Sequence, residues 1–262
     1  MGMTFNELKA LQIAKNGWAS FDYIATIGRQ WLHINPKKLS FLKLSKEEKE
    51  DLKQEEYVEK LLKILGSKNI DSFDYSGYEN ATFIHDMSQP IDTIHKNKYD
   101  LVFDGGTLEH VFNFPVAIKN CMEMVKVGWY FISVTVCNNF SGHGFYQFSP
   151  ELFFRIFSEE NGYETKDIFL SEKSIWYRVK DPLTVKKRVT FKNRHETYMI
   201  VIAEKKSESD IFKTYPLQSD YVDSWNGTDW NKESLFQRIM NRLRREFIKY
   251  DKRFFEKIKI WR

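Results

Sequence analysis

The sequence predicts an α/β chain built on a mostly parallel sheet with helices on both faces. Three observations predict it. Apolar strand candidates alternate with helix-period segments bounded by caps and glycines. The run 129–136 is too apolar to face water on either side, as in a strand covered twice. With 42% hydrophobic and 16% aromatic residues, the 262-residue chain can bury the core of one large domain or a domain with an appendage. The same composition excludes disordered, collagen-like and disulfide-scaffold classes. A net charge of +4 is too small over this length to imply nucleic acid or acidic lipid as partners unless it clusters.

Each element follows from local pattern. Thr4 with Glu7 forms a capping box ahead of Leu8, Leu11 and Ile13, predicting a short helix before Gly17 that covers a sheet edge or the mouth of a site. Residues 20–27 read as a buried strand stopped at Gly28, with Arg29 and Gln30 just beyond. Ser45 with Glu48 is a second capping box, and Val58, Leu61, Leu62 and Leu65 continue at helical spacing to Gly66, predicting one helix over 45–65. Strands are predicted at 69–73, 81–84 and 99–103, ending at Asp74, at His85 and Asp86, and at Asp104, Gly105 and Gly106. Pro115 opens a helix carrying Val116, Cys121, Met122 and Val125, followed by the strand 129–136. Ser149 and Pro150 start another helix with Phe153, Phe154 and Phe157 on its apolar side and Gly162 at its end. Strands at 165–168 and 198–203 complete the series, with an added hairpin or excursion over 175–191. Residues 205–231 read as irregular, and Asn231 is expected to cap a last helix bearing Phe236, Ile239, Met240, Leu243 and Phe247. The expected organisation is a domain over 1–204 and an appendage over 205–262.

Cys121 and Cys137, each flanked by apolar residues, suit buried thiols in a reducing compartment, so a cytoplasmic location is expected. The first residues lack both a basic start with an apolar run and the Ser or Thr that myristoylation of Gly2 requires. The longest apolar run, 127–137, is about half the roughly 20 residues a membrane helix needs. The tail 238–262 is strongly basic against Glu246, Asp251 and Glu256. It suits peripheral contact with an anionic membrane face, a phosphate-bearing substrate or a second subunit in a homodimer. A helix that packs its Phe and Ile side and solvates its charges is the favoured reading.

Sheets of this kind bind ligands outside the carboxyl ends of their strands, so Asp74, Asp86 and Asp104 are expected to share one rim. A carboxylate after the second strand accepts from both ribose hydroxyls of a nucleoside, and one after the third accepts from an adenine amino group. Asp74 suits the first role, and Asp86, with Met87 beside it, the second. Acidic residues also leave strands simply to start turns and cap helices.

The segment 99–111, containing Asp104-Gly105-Gly106-Thr107-Leu108-Glu109-His110, is more specific. With Asn139 and the stretch Gly142-His143-Gly144-Phe145-Tyr146-Gln147-Phe148-Ser149-Pro150-Glu151, it resembles class I S-adenosylmethionine-dependent methyltransferases. It is most similar to small-molecule enzymes of bacterial surface-polysaccharide (capsule) biosynthesis. The likeness covers about 21–204 and is strongest over 74–162. It implies a Rossmann-like seven-stranded, mostly parallel sheet with helices on both faces and helical additions at both ends. It also implies S-adenosylmethionine on the rim and a substrate held by the stretch after the fifth strand. The cofactor residues so implied are Gly28, Arg29, Gln30, Asp74, Asp86, Met87, Asp104 and Gly105. Two departures stand out. The first loop offers Gly28 alone, and Asp74 lies far beyond the usual spacing of about 20 residues from such a loop. The 45–65 helix fills that gap as an enlarged connection, in a variant first motif where Arg29 or Gln30 reaches the cofactor carboxylate.

Methyl transfer from a sulfonium needs alignment and exclusion of water, and a neutral hydroxyl acceptor also profits from a general base. His143, between two glycines in the substrate stretch, is the first candidate base, and His110 is its rival. Tyr146 and Asn139, with His143, are expected to hold the acceptor, while Phe145, Tyr146 and Phe148 could flank the sulfonium. Glu109 bonds either to the cofactor or to a backbone amide. The six histidines lack paired ligand spacing and the two cysteines are isolated, so no metal is expected. The expected activity is O-methylation of a sugar hydroxyl or a phosphate-derived oxygen such as a phosphoramidate, on a nucleotide- or glycan-linked small molecule; a nitrogen acceptor stays open. Nucleic acid is not an expected partner. Two rivals remain. A nicotinamide-dependent sugar oxidoreductase would need a glycine-rich first turn and a Tyr and Lys pair at helical spacing. A cofactor-free scaffold is favoured by the sparse first motif and the basic tail.

Overall fold

Alternating strands and helices account for most of the chain, for which the computed structural model describes residues 2–17, 21–34, 39, 42, 44–173, 175–230 and 255–258. In order they are β1 (Gly2–Met3), α1 (Phe5–Gly17), β2 (Tyr23–Ile27), β3 (Trp31–Leu32), α2 (Lys46–Asp51), α3 (Glu59–Ile64), β4 (Asn69–Asp74), β5 (Phe83–Ile84) and β6 (Tyr99–Asp104). There follow α4 (Phe114–Met124), β7 (Val125–Asn138), α5 (Pro150–Ile156), β8 (Tyr163–Glu172), β9 (Ile175–Val179), α6 (Pro182–Val185), β10 (Thr197–Lys205), α7 (Ser219–Trp225) and β11 (Phe255–Ile258).

The central sheet has the order β11-β9-β8-β10-β7-β6-β2-β4-β5. The pairs β4 with β5, β2 with β4, β2 with β6 and β6 with β7 are parallel, and β10 runs antiparallel to both β7 and β8. The seven strands from β5 to β8 form the predicted Rossmann-like α/β sheet. Chain order reverses between β2 and β6, which makes that junction the switch point where such sheets bind ligands.

Alternation of side chains along each strand divides the core. Leu101, Phe103, Ile132 and Val134 join Leu8, Leu11 and Ala14 of α1 and Leu61 and Leu62 of α3 on one face. Val102 and Phe131 join Ile118, Cys121 and Met122 of α4 and Phe153 and Ile156 of α5 on the other. Burial on both sides explains why β6 and β7 read as continuous apolar runs. The helix α1 therefore covers a sheet face, against β7 and β10, and not an edge as one expectation had it. Half of its predicted capping box forms, with Thr4 N donating to Glu7 Oε2 at 2.7 Å, but the Thr4 hydroxyl accepts from Asn6 N and not from Glu7 N.

The single helix predicted over 45–65 is two short ones. Ser45 and Glu48 cap α2 reciprocally, and Gly66, at φ +107°, ends the turn after α3. Between them the backbone pairs elsewhere. Leu32 N donates to Glu56 O at 2.7 Å, Val58 N donates to Gln30 O at 3.1 Å, and Tyr57 bridges to Trp31. Pairing with the strand after β2 outweighs helix propensity there and holds the first loop of the site.

Beyond β8 the sheet gains β9, which realises the predicted hairpin, and β11, which pairs antiparallel with β9. Residues 255–258, expected within a helical tail, are thus a strand. The Asn231-capped helix and the rest of the basic tail lie outside the described residues. The segment read as irregular contains α7, fastened by Ser219 N donating to Glu151 Oε1 at 2.8 Å and by Lys186 pairing with Asp223 at 2.6 Å. Cys121 is buried, Cys137 is half-buried, and both are free thiols. Among the described residues no helix is long and apolar enough to cross a membrane.

Candidate active site

Strand register places the predicted rim. Ile27 stands opposite Phe73 on one side and Asp104 on the other, so the first loop, the end of β4 and the end of β6 share one edge. Gly28, at φ +73°, makes the turn off β2, and its N–H donates to Phe73 O at 2.7 Å. Arg29 N then donates to Asp74 Oδ2 at 3.1 Å, while Asp74 Oδ1 accepts no hydrogen bond among the described residues. Asp86 follows β5 and accepts from Ser88 N at 2.9 Å through Oδ1, the turn-starting role weighed in the sequence, which leaves Oδ2 uncommitted among the described residues.

The other expected cofactor residues are differently employed. Asp104 is fully buried; its Oδ1 accepts from Thr107 N at 2.8 Å and Leu108 N at 3.2 Å, and its Oδ2 accepts from Ser133 Oγ at 2.6 Å. That carboxylate shapes the loop after β6 instead of facing a ligand. Met87, another expected cofactor residue, is 5% exposed and packs in the core. Arg29 donates to Glu59 Oε1 at 2.7 Å and to Glu79 O at 2.6 Å, with its guanidinium 3.8 Å from the centre of the Tyr57 ring. It therefore does not reach for a cofactor carboxylate. Gln30 is fully buried and donates to Ile27 O at 2.7 Å, but its Oε1 has no partner among the described residues. A Cβ on Gly105 would come within 2.6 Å of that oxygen, so any side chain there would displace the Gln30 amide.

On the same rim the Gly142 to Gly144 loop docks on Glu109. Phe145 N and Tyr146 N both donate to Glu109 O, at 2.8 and 3.2 Å. Gly144 has φ +66°, and a Cβ there would lie 2.8 Å from the same carbonyl. His143 Nε2 consequently stands 3.6 Å from Glu109 Oε1, and the His143 and His110 rings meet edge to face at 4.8 Å. The Glu109 side chain is 1% exposed, and its Oε2 accepts from Thr135 Oγ1 at 2.8 Å. Burial, and then the nearby Asp104 charge, push the Glu109 carboxyl up to about 8. Burial raises Asp104 to about 6, against the pull of Ser133 and the loop N–H groups. His110, though exposed to solvent, is lowered by partial desolvation among its neighbours and by His143. One donor atom from each of Glu109, His110 and His143 lies within 4.8 Å of the others. The expectation of no metal-ligand grouping is corrected to that extent, because the donors meet through folding from separate segments.

The expected acceptor-holding residues do other work. Tyr146 OH donates to Phe112 O at 2.6 Å while its ring stacks on Phe148. Asn139, at φ +63°, donates to Asn193 Oδ1 and to His195 O, each at 2.8 Å. Of the aromatics, Phe148 is core and Phe145 is exposed against Phe112. Beyond β7 a cleft of about 370 Å³ opens between Cys137, Asn138, Gln147, Arg188, Phe191 and Trp230. Arg188, Phe191 and Trp230 carried no sequence signal.

No protein-family model matches the chain, and no curated protein matches it. Among solved structures, a candidate methyltransferase from Bacillus halodurans C-125 is similar at 11% identity, over 78% of this chain and 99% of that one, with a TM-score of 0.45. The 1,6-didemethyltoxoflavin-N1-methyltransferase of Burkholderia thailandensis, solved with S-adenosylhomocysteine, shares 11% identity over 76% of this chain and 77% of its own, with a TM-score of 0.43. The branched-chain polyamine synthase C9 mutein of Thermus thermophilus, bound to 5'-methylthioadenosine, shares 12% identity over 83% of this chain and 63% of its own, with a TM-score of 0.43. At such identities the functional reading rests on the site itself.

Proposed function

We propose that the chain is an S-adenosylmethionine-dependent methyltransferase for a small-molecule oxygen acceptor. The observation that carries the reading is Asp74 at the end of β4, one strand over from the switch point, with one carboxylate oxygen held by Arg29 N and the other uncommitted among the described residues. That is the arrangement a ribose diol needs. Asp86 Oδ2 suits an exocyclic amino group, and the unpartnered Gln30 Oε1 behind Gly105 offers a further acceptor. When bound, the cofactor supplies a sulfonium methyl group that an oxygen takes as the S–C bond breaks. Glu109, His110 and His143 stand on the same rim to handle the acceptor oxygen and its proton. The resemblance in the sequence supports a sugar hydroxyl or a phosphate-derived oxygen on a surface-glycan precursor as acceptor.

A second reading, a cofactor-free domain, is favoured by Arg29 and Gln30, whose side chains are tied up internally. Thermal unfolding with S-adenosylhomocysteine separates the two. Ligand at a hundredfold excess over its Kd should raise the melting temperature by about 5–10 °C. An unchanged melting temperature supports the cofactor-free reading.

A further inference from the structure

The geometry points to a divalent-cation site made by Glu109, His110 and His143, with open positions that take the acceptor oxygen. Their donor atoms, within 4.8 Å of one another, need about 1 Å of contraction to reach the 2.0–2.2 Å bonds of a zinc-like ion. Both imidazoles are exposed, so ring rotation can supply it without moving backbone. The main chain is already set, because Gly144 and the hydrogen bonds from Phe145 N and Tyr146 N pin the His143 loop to Glu109 O.

The carboxylate is prepared as well. Thr135 fixes Oε2, as outer-shell donors fix metal ligands, while Oε1 accepts no hydrogen bond among the described residues. A buried carboxylate with an open oxygen beside two imidazoles is costly alone and satisfied by a cation. Two imidazoles and one carboxylate form a three-ligand set that leaves coordination positions free, unlike the closed four-ligand structural sites.

The acceptor class follows and rests on the methyltransferase reading. It is a hydroxyl with a second oxygen donor beside it, such as a vicinal diol or a hydroxyl next to a phosphate or carboxylate. Cation binding acidifies the hydroxyl, whose proton leaves to water. The O–CH3 bond then forms from the oxygen pair as the S–CH3 bond breaks with its pair staying on sulfur, and the cation is neither oxidised nor reduced.

The test uses untagged full-length protein, stripped with a chelator and titrated with ZnCl2 by calorimetry and with CoCl2 by visible absorption. One equivalent should bind per chain. His110→Ala and His143→Ala should each abolish it with unchanged melting temperature, Thr135→Val should weaken it by about tenfold, and His195→Ala should leave it intact. Absence of binding by the unsubstituted protein, or the same binding in both His110→Ala and His143→Ala, overturns the site. Titrating S-adenosylhomocysteine into the same samples keeps the two claims apart. Zinc binding without nucleoside binding upholds the site and removes the methyltransferase reading; nucleoside binding without zinc binding does the reverse.

Discussion

His143 Nε2 lies 3.6 Å from Glu109 Oε1, and main-chain contacts set that distance. The loop presenting His143 hangs on Glu109 O through two N–H donors, and Gly144 alone permits the approach. Gly144→Ala places a Cβ 2.8 Å from that carbonyl at φ +66°. The loop must lift or strain, at a cost of about 1–3 kcal/mol. Urea unfolding should show that loss together with weaker zinc binding, whereas Gly142→Ala, with no neighbour near its added Cβ, should change neither.

Two buried carboxyls make stability pH-dependent. Glu109 is raised from an ordinary 4.5 to about 8 and Asp104 from 3.8 to about 6, both chiefly by burial. A folded-state pKa above the unfolded one gives stability that is full below the unfolded value and lost as pH rises through the folded value. In chelator-treated buffer the urea midpoint should therefore fall from about pH 4.5 to about 8, Glu109 contributing across that whole window and Asp104 only up to about pH 6. Glu109→Gln should flatten the upper part of that fall; parallel pH profiles for the two proteins would show that Glu109 is not the group titrating.

Arg29 is bound to Glu59, Glu79 O and the Tyr57 ring, so its side chain serves the 52–58 connection. Arg29→Ala should cost about 1 kcal/mol of stability, typical of a half-exposed ion pair with a stacked ring. S-adenosylhomocysteine affinity should stay within about threefold, because the N–H to Asp74 remains. Calorimetry showing a much larger loss would return Arg29 to the cofactor's carboxylate.

The sequence carried the strands and their shared rim because apolar runs and the carboxylates ending them are local features. Ser45 and Glu48 capped α2 as expected for the same reason. The break before α3 was hidden, since it depends on Glu56, Tyr57 and Val58 pairing with residues after β2. Asp104 looked like a ligand until Ser133, from β7, and the N–H groups of Thr107 and Leu108 were seen to occupy it. Asn139 and Tyr146 were likewise claimed by distant partners, Asn193 and Phe112, that no spacing reveals. The Glu109, His110 and His143 cluster escaped a search by ligand spacing because β6 and β7 bring its two segments together only in the folded chain.

The central claim is that Asp74, at the end of β4, grips a ribose beside the switch point, and titration calorimetry of S-adenosylhomocysteine into the full chain and Asp74→Ala addresses it directly. The account predicts single-site micromolar binding that weakens at least about tenfold in the variant, or some 1.4 kcal/mol. No binding to the unsubstituted chain, or equal affinity in Asp74→Ala, would contradict it.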